Sequence, residues 1–354
     1  MANRATVAGW VGSTNLGDEL LFRILKDLLG ARGVAVGGPS VDPAGTAAVH
    51  GTEAHGHLNP SALRHSLVAS DAFVFGPGGL LQDETGIWNL PYHLRRIRMA
   101  RRAGLPWAGI GLGADGLTTE RGRGQVRKAL VGHTAIAVRD EASFDALREL
   151  DVERIVRAAD LAFLAEVPQV SGDGVLGVCL RAPQSGRFRP GALDHAHRWP
   201  DGRADAMATA LDDTARATGL TVRFLAFDAR SDGVVHRQVA ERMATAAEVV
   251  EPELDGLVAA LARVDAMATM RYHGAVLAAL GGAGVVALPF SPKLRSIADD
   301  LGPGATVLDE ADTGLPAAVT SVLEHRHHLA DHVDRLRTLA GRNVEVLDEL
   351  LEVS

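Results

Sequence analysis

Short apolar runs alternate with amphipathic segments along nearly the whole chain, and the alternating series occurs twice. Runs at residues 72–75, 107–110, 175–180 and 285–288 are short for helices and lack the polar alternation of half-exposed strands. They read as strands buried on both faces, as in parallel sheets. Between them lie segments with helical spacing, such as 18–31, where Leu20, Leu21, Ile24, Leu25, Leu28 and Leu29 share one face. The pattern breaks over 166–174, rich in Pro, Ser, Gly and Asp, and then restarts. The expected fold is therefore α/β, with two Rossmann-like domains facing a cleft. The N-terminal domain is expected over 1–168, the C-terminal domain over 175–310, and a helical segment over 311–354. Within the first half, further strands are expected near Val34 and Val49.

Ligands of open α/β sheets bind outside the carboxyl ends of the strands, so residues just past each apolar run are the site candidates. The stretch 264–270 runs straight into a helix at 272–280, and its junction carries Arg271, Tyr272 and His273 with almost no loop. Other strand ends carry Arg139, Arg181 and, after 285–288, Lys293. Two glycine-rich turns follow strands in the first half. One holds Gly9, Gly12, Asn15 and Gly17 before Asp18 and Glu19; the other holds Gly76, Gly78 and Gly79 before Gln82 and Asp83. Glycines there permit positive φ and close ligand approach. Asn15 reads as a site residue, whereas Asp18 is equally explained by the acidic first turn of a helix. Asp83 is the candidate for orienting or deprotonating a substrate hydroxyl. The connection over 188–200, flanked by Arg187 and carrying Arg189, His195 and His197, reads as a loop that binds an acceptor.

Composition removes several classes of function. A net charge of −8 argues against a nucleic-acid-binding face. The single Cys179 excludes an internal disulfide framework and suits a reducing cytoplasm. No run approaches the length of a membrane span, which leaves peripheral contact with the inner face of a membrane open. Homo-oligomerisation is equally open. His50, His55 and His57, and later His325, His327, His328 and His332, lack the carboxylate or cysteine spacing of a metal site. The Arg-rich helix over 94–103 reads as a solvated face. Lysine occurs only at positions 26, 128 and 293, so Lys293 at a strand end stands out from generic surface charge.

The ordered set of motifs resembles the polysaccharide pyruvyl transferase family. It comprises Gly9-x-x-Gly12-x-x-Asn15-x-Gly17-Asp18-Glu19, Gly76-x-Gly78-Gly79-x-x-x-Asp83 and Val138-Arg139-Asp140-x-x-Ser143. Asp160 with Phe163, Leu180-Arg181, Met270-Arg271-x-His273 and Pro292-Lys293 complete it. The resemblance spans most of residues 5–300 and implies a GT-B-like architecture. It implies transfer of a pyruvyl group from phosphoenolpyruvate, a co-substrate, to a saccharide or lipid-linked saccharide acceptor, with no cofactor. On that reading Arg181, Arg271 and Lys293 bind phosphoenolpyruvate, while His273 and Asp83 are catalytic. Asn15, Gly12, Gly78, Gly79, Gln82 and Arg139 face the acceptor. Two features depart from the family pattern: Tyr272, where an aliphatic residue is expected, and the Arg- and His-rich loop after Arg181. A nucleotide-sugar-dependent glycosyltransferase of GT-B type and a catalytically silent scaffold are the alternatives on the same fold.

Overall fold

The apolar runs form two wholly parallel sheets. The first contains β1 (Arg4–Ala8), β2 (Ala35–Ser40), β3 (Glu53–Gly56), β4 (Ala72–Phe75), β5 (Trp107–Leu112), β6 (Ile136–Val138) and β7 (Ile155–Arg157). Their spatial order is β3-β2-β1-β4-β5-β6-β7. The second contains β8 (Val175–Cys179), β9 (Thr221–Leu225), β10 (Ala247–Val250), β11 (Ala266–Thr269), β12 (Gly284–Ala287) and β13 (Ala305–Val307). Its order is β10-β9-β8-β11-β12-β13. The computed structural model describes residues 2–84, 86, 88–170, 172–182, 198–288, 292–309 and 311–354, the last range without the side chains of 311–313. The Arg- and His-rich connection with Arg187, Arg189, His195 and His197 thus lies outside the described residues, up to position 198.

Each half begins in the middle of its sheet, builds to one edge, and crosses back to build the other. The order reverses between β1 and β4 in the first sheet and between β8 and β11 in the second. Loops leaving such a pair diverge to opposite faces, and the crevice between them is where a ligand fits. Strands β4, β8, β11 and β12 are buried at every position, as their unbroken apolar runs require.

Two kinds of local element escape the apolar pattern. Near Val49 the chain is helical rather than extended, over Pro43–His50. Asp42 caps that helix by accepting from the Gly45 N–H at 3.1 Å, Pro43 opens it, and Gly51 ends it in a left-handed conformation. These signals outweigh the strand propensity of one valine. The edge strands β10 and β13 are only partly buried, so nothing forces an apolar run there. Helix Asp232–Ala240 stops six residues before β10 begins at Ala247.

The C-terminal segment serves both halves. Helix Ala311–His325 packs on helix Asp201–Thr218 of the second half, and the chain then turns through Arg326–His328. Helix Leu329–Glu352 returns across the first half. There Asn343 accepts from the Gly111 N–H and donates to the Ala159 carbonyl, both at 2.9 Å. Arg32 pairs with Asp348, and Arg154 with Glu349. One apolar cluster runs from Val7 and Leu25 through Phe163 and Val276 to Leu347, so the two halves share a core. Among the described residues no helix is long and apolar enough to cross a membrane.

Candidate active site

The end of β11 is built to project charge. The Thr269 hydroxyl accepts from the Arg271 N–H at 2.9 Å and donates to the Arg271 carbonyl at 3.0 Å, which turns the chain directly into helix Tyr272–Leu280. Gly274 lets this turn close, since a Cβ there would lie 2.6 Å from Thr269 Oγ1. Arg271 forks onto the fully buried Asp232 at 3.0 and 2.5 Å and reaches Ser231 Oγ at 3.2 Å. Burial works against the guanidinium's charge, but Asp232 outweighs it and raises its proton affinity. Nη1 of Arg271 has no partner among the described residues.

His273 faces the first half of the chain. Its Nε2 lies 3.7 Å from Asp160 Oδ1, an ion-pair distance for a protonated ring but longer than a hydrogen bond. Nε2 and Asp160 Oδ2 are both buried without hydrogen-bond partners among the described residues. Resting catalytic contacts are commonly long and tighten when substrate arrives. The Ala162 N–H holds Asp160 Oδ1 at 2.9 Å. Burial raises this carboxyl's pKa, yet His273 and Arg139 outweigh it and hold the group below the usual range.

The other side of the His273 ring rests on the start of helix Leu16–Gly30. A Cβ on Gly17 would sit 2.1 Å from His273 Nδ1, so the contact exists only because position 17 is glycine. Asn15 caps this helix through the Gly17 N–H at 3.2 Å and donates to Asp18 Oδ2 at 2.6 Å. Burial pushes the Asp18 carboxyl up, while His273 and Lys293 pull it back.

Two further cations share the cleft. Arg181 follows β8 and is half-buried; burial, then Arg271, push its guanidinium down to about 10 against the pull of Asp232 and Asp18. The preceding residue, Leu180, donates its N–H to His236 Nε2 at 2.9 Å, and burial pushes that ring down to about 4, leaving it a neutral acceptor. Lys293 stands in the first turn of helix Pro292–Leu301, beyond β12. Burial, then Arg139 and Arg181, push its ammonium down to about 8 despite Asp115 and Asp18. It forms no ion pair among the described residues. Arg181, Lys293 and the His273 imidazole therefore gather beside Asp18, with Arg271 next to Arg181, an arrangement suited to binding an anion and moving a proton.

Several expected residues do other work. Asp83 accepts from the backbone N–H and hydroxyl of Thr118 and again from those of Thr119, which clamps its turn to the loop after β5. Burial raises its carboxyl's pKa, but these four donors hold it below the usual range, and both of its oxygens are engaged in this clamp. Gln82 belongs to the same clamp, its carbonyl accepting from Asn89 Nδ2 at 2.6 Å. Arg139 is 4% exposed and matched to Asp115 and Asp140 at 3.1 Å and Asp160 at 3.9 Å. Enclosed in this way, it adjoins His273 through Asp160 and lies against Tyr272, whose ring centroid is 4.9 Å from its Cζ. The departure at position 272 thereby has a reason: an aromatic face covers a buried cation. Gly12 has a positive φ and is packed on Ser40 and Thr46, where a Cβ would approach Ser40 Oγ to 2.0 Å, so close packing by itself requires glycine there. Gly78 looks onto Asp18 and Gly79 onto Arg139, with Cβ positions 3.9 and 3.6 Å away. Asn15 acts as a cap and an orienting group for Asp18. Among the described residues no group of three or more His, Cys, Asp or Glu is placed to hold a metal ion.

A model of the family described as polysaccharide pyruvyl transferase matches residues 15–292. The chain belongs to the polysaccharide pyruvyl transferase family. It is thus a member of a transferase family that acts on polysaccharide. No curated protein matches it. Solved structures of the same fold include Anabaena HepE in complex with UDP-glucose, at TM-score 0.59 and 13% identity, covering 100% of this chain and 98% of that one. UDP-GlcNAc 2-epimerase from Neisseria meningitidis has TM-score 0.61 and 10% identity over 99% of this chain and 100% of its own. The calicheamicin glycosyltransferase CalG4 has TM-score 0.57 and 15% identity over 99% of this chain and 98% of its own. These likenesses establish a GT-B fold of two Rossmann-like units. Within this pyruvyl transferase family member, the residues that reading strand ends missed are carboxylates. Asp18 and Asp160 stood in the motifs but without roles, and Asp232 carried no signal at all, because its partner Arg271 lies 39 positions away in sequence.

Proposed function

We propose that this protein transfers the pyruvyl group of phosphoenolpyruvate to two hydroxyls of a saccharide, forming a pyruvate ketal and releasing phosphate. The acceptor is a cell-surface polysaccharide or its lipid-linked precursor. One observation carries the reading: His273 lies between the buried Asp160 and the helix start bearing Asp18, with Arg181, Arg271 and Lys293 alongside. Arg181, Lys293 and the remaining Nη1 of Arg271 take the carboxylate and phosphate, guanidinium groups being suited to such oxyanions. His273 delivers a proton to the methylene carbon, whose C–H bond forms from the double-bond electrons and leaves an oxocarbenium carbon. The first sugar hydroxyl attacks that carbon as Asp18 takes its proton. Phosphate departs with the C–O electron pair, and the second hydroxyl closes the ketal, its proton leaving with phosphate. Atoms and charge balance without a cofactor.

Isothermal titration with phosphoenolpyruvate and, in parallel, a UDP-sugar panel tests the reading. Saturable phosphoenolpyruvate binding is expected. His273→Ala and Asp18→Asn should keep that binding within a few-fold and lose about 10²–10⁴-fold in phosphate release with acceptor, the usual worth of a positioned acid or base. Asp83→Asn should retain kcat. Binding of a UDP-sugar alone would transfer the assignment to a glycosyltransferase, and wild-type turnover in His273→Ala would remove His273 as the acid.

A further inference from the structure

A second cluster of polar and aromatic side chains, unused by the proposed transfer, lies at the carboxyl edge of the first sheet. Trp10 follows β1 at the point where Gly9 packs on Gly76 and Pro77, so it stands at the sheet's reversal between β1 and β4. His55 and His57 come from the end of β3, and Tyr92, His93 and Arg96 from helix Asn89–Arg102. Trp10 meets His57, Tyr92 and His93 edge-on at 6.1, 6.2 and 6.3 Å between ring centroids. His57 Nδ1 lies 2.5 Å from the Tyr92 hydroxyl.

Arg96 is the unusual member. It is 3% exposed, whereas Arg95, Arg98, Arg101 and Arg102 on the same helix are exposed. Its guanidinium donates to the Tyr92 hydroxyl and to His93 Nδ1, the latter at 3.2 Å, and lies 4.0 Å from the Tyr92 ring centroid. No carboxylate pairs with it among the described residues. Arg139, the other fully buried arginine among the described residues, and Arg271, whose side chain is 11% exposed, each have acidic partners. Burying a cation without a counter-ion is costly, and such groups are ordinarily paired. The surrounding imidazoles do not share the charge: burial first, then Arg96, lowers the proton affinity of His55, His57 and His93. Separately, His55 Nε2 is buried without a hydrogen-bond partner among the described residues. A polar and aromatic surround with one cation that lacks an acidic partner among the described residues and one orphaned ring nitrogen has the chemistry to receive an oxyanion.

We propose that this cluster is the acceptor subsite and that the acceptor is an acidic saccharide, whose carboxylate or phosphate pairs with Arg96 while a sugar ring lies against Trp10. The word acceptor rests on the transferase reading; the binding of an anionic saccharide does not. The test is titration of the full chain with glucose, glucuronate and glucose 1-phosphate, followed by saturation-transfer NMR, for wild type, Arg96→Gln and Arg96→Lys. At least one anionic sugar should bind about tenfold or more tightly than glucose, a difference near 1.4 kcal/mol. Arg96→Gln should abolish that preference and Arg96→Lys should keep most of it. Preference for glucuronate alone identifies a carboxylate-bearing residue, and preference for glucose 1-phosphate alone a phosphorylated precursor. Equal binding of all three, absence of binding by both anions, or a preference unchanged in Arg96→Gln overturns the proposal. Phosphoenolpyruvate titrated against the same variants separates the two readings, since its failure to bind wild type removes the transferase while an Arg96-dependent preference for an anionic sugar survives.

Discussion

A methyl group at position 17 would stand 2.1 Å from Nδ1 of His273, closer than any real contact allows. Gly17→Ala is therefore expected to fold, since alanine suits a first helical turn, but to push the imidazole aside. A displacement of about 1 Å at a reacting group costs on the order of 10²-fold in turnover. Steady-state phosphate release beside a thermal melt checks it: turnover should fall while the melting temperature holds. Lys293 supplies a pH signature. Burial lowers its ammonium to about 8 in the fold, so the bound charge is complete well below that pH and lost as pH rises through it. Phosphoenolpyruvate affinity should weaken above pH 8 in wild type and stay flat in Lys293→Arg; identical profiles would remove Lys293 from the anion site. The placement of Arg181, Arg271, His273 and Lys293 at the carboxyl ends of neighbouring strands was legible because a polar residue ending an apolar strand has few structural excuses. That Asn15 caps the helix while Asp18 faces His273 and Lys293 was not legible, because a cap and a carboxylate three positions apart look alike until the second half of the chain comes against them.

Elements differ in how they handle buried charge. Arg139, at the end of β6, is balanced by Asp115, Asp140 and Asp160. Arg139→Met leaves those carboxylates uncompensated and should cost about 3–5 kcal/mol in denaturant unfolding; a cost below 1 kcal/mol would mean that the carboxylates relax into water. The helix Asn89–Arg102 presents the opposite case, with Arg96 enclosed and no acidic partner among the described residues. An Arg-rich helix reads as a solvated face because residue types alone do not say which arginine points inward. Central strands were legible from their apolar runs; β10 and β13 were not, since an edge strand is half-solvated and needs no such run.

The molecule as a whole is tied by its last helix. Leu329–Glu352 lies across the first half although it follows the second in sequence, and Asn343 is its polar anchor, 1% exposed, bonded to Gly111 and Ala159. Asn343→Ala strands a buried N–H and a buried carbonyl, at about 1–3 kcal/mol each. Chemical denaturation should show a loss of at least about 2 kcal/mol; a smaller loss would show that water replaces the amide. The continuous apolar cluster from Val7 to Leu347 has the same effect on a larger scale, fixing the two strand-end crevices against each other. Only in that arrangement do Asp160 of the first half and His273 of the second come within 3.7 Å.

The amino-acid sequence by itself determined the two parallel sheets, their helical cover and the cationic strand ends, because burial on both faces imposes apolar runs and leaves polar residues only where strands stop. The tertiary structure decided which carboxylate meets which cation: Asp232 with Arg271, Asp160 and Asp18 with His273, and none for Arg96 among the described residues. Those pairings join residues distant in the chain, and electrostatic balance depends on distance in space, which no local pattern encodes.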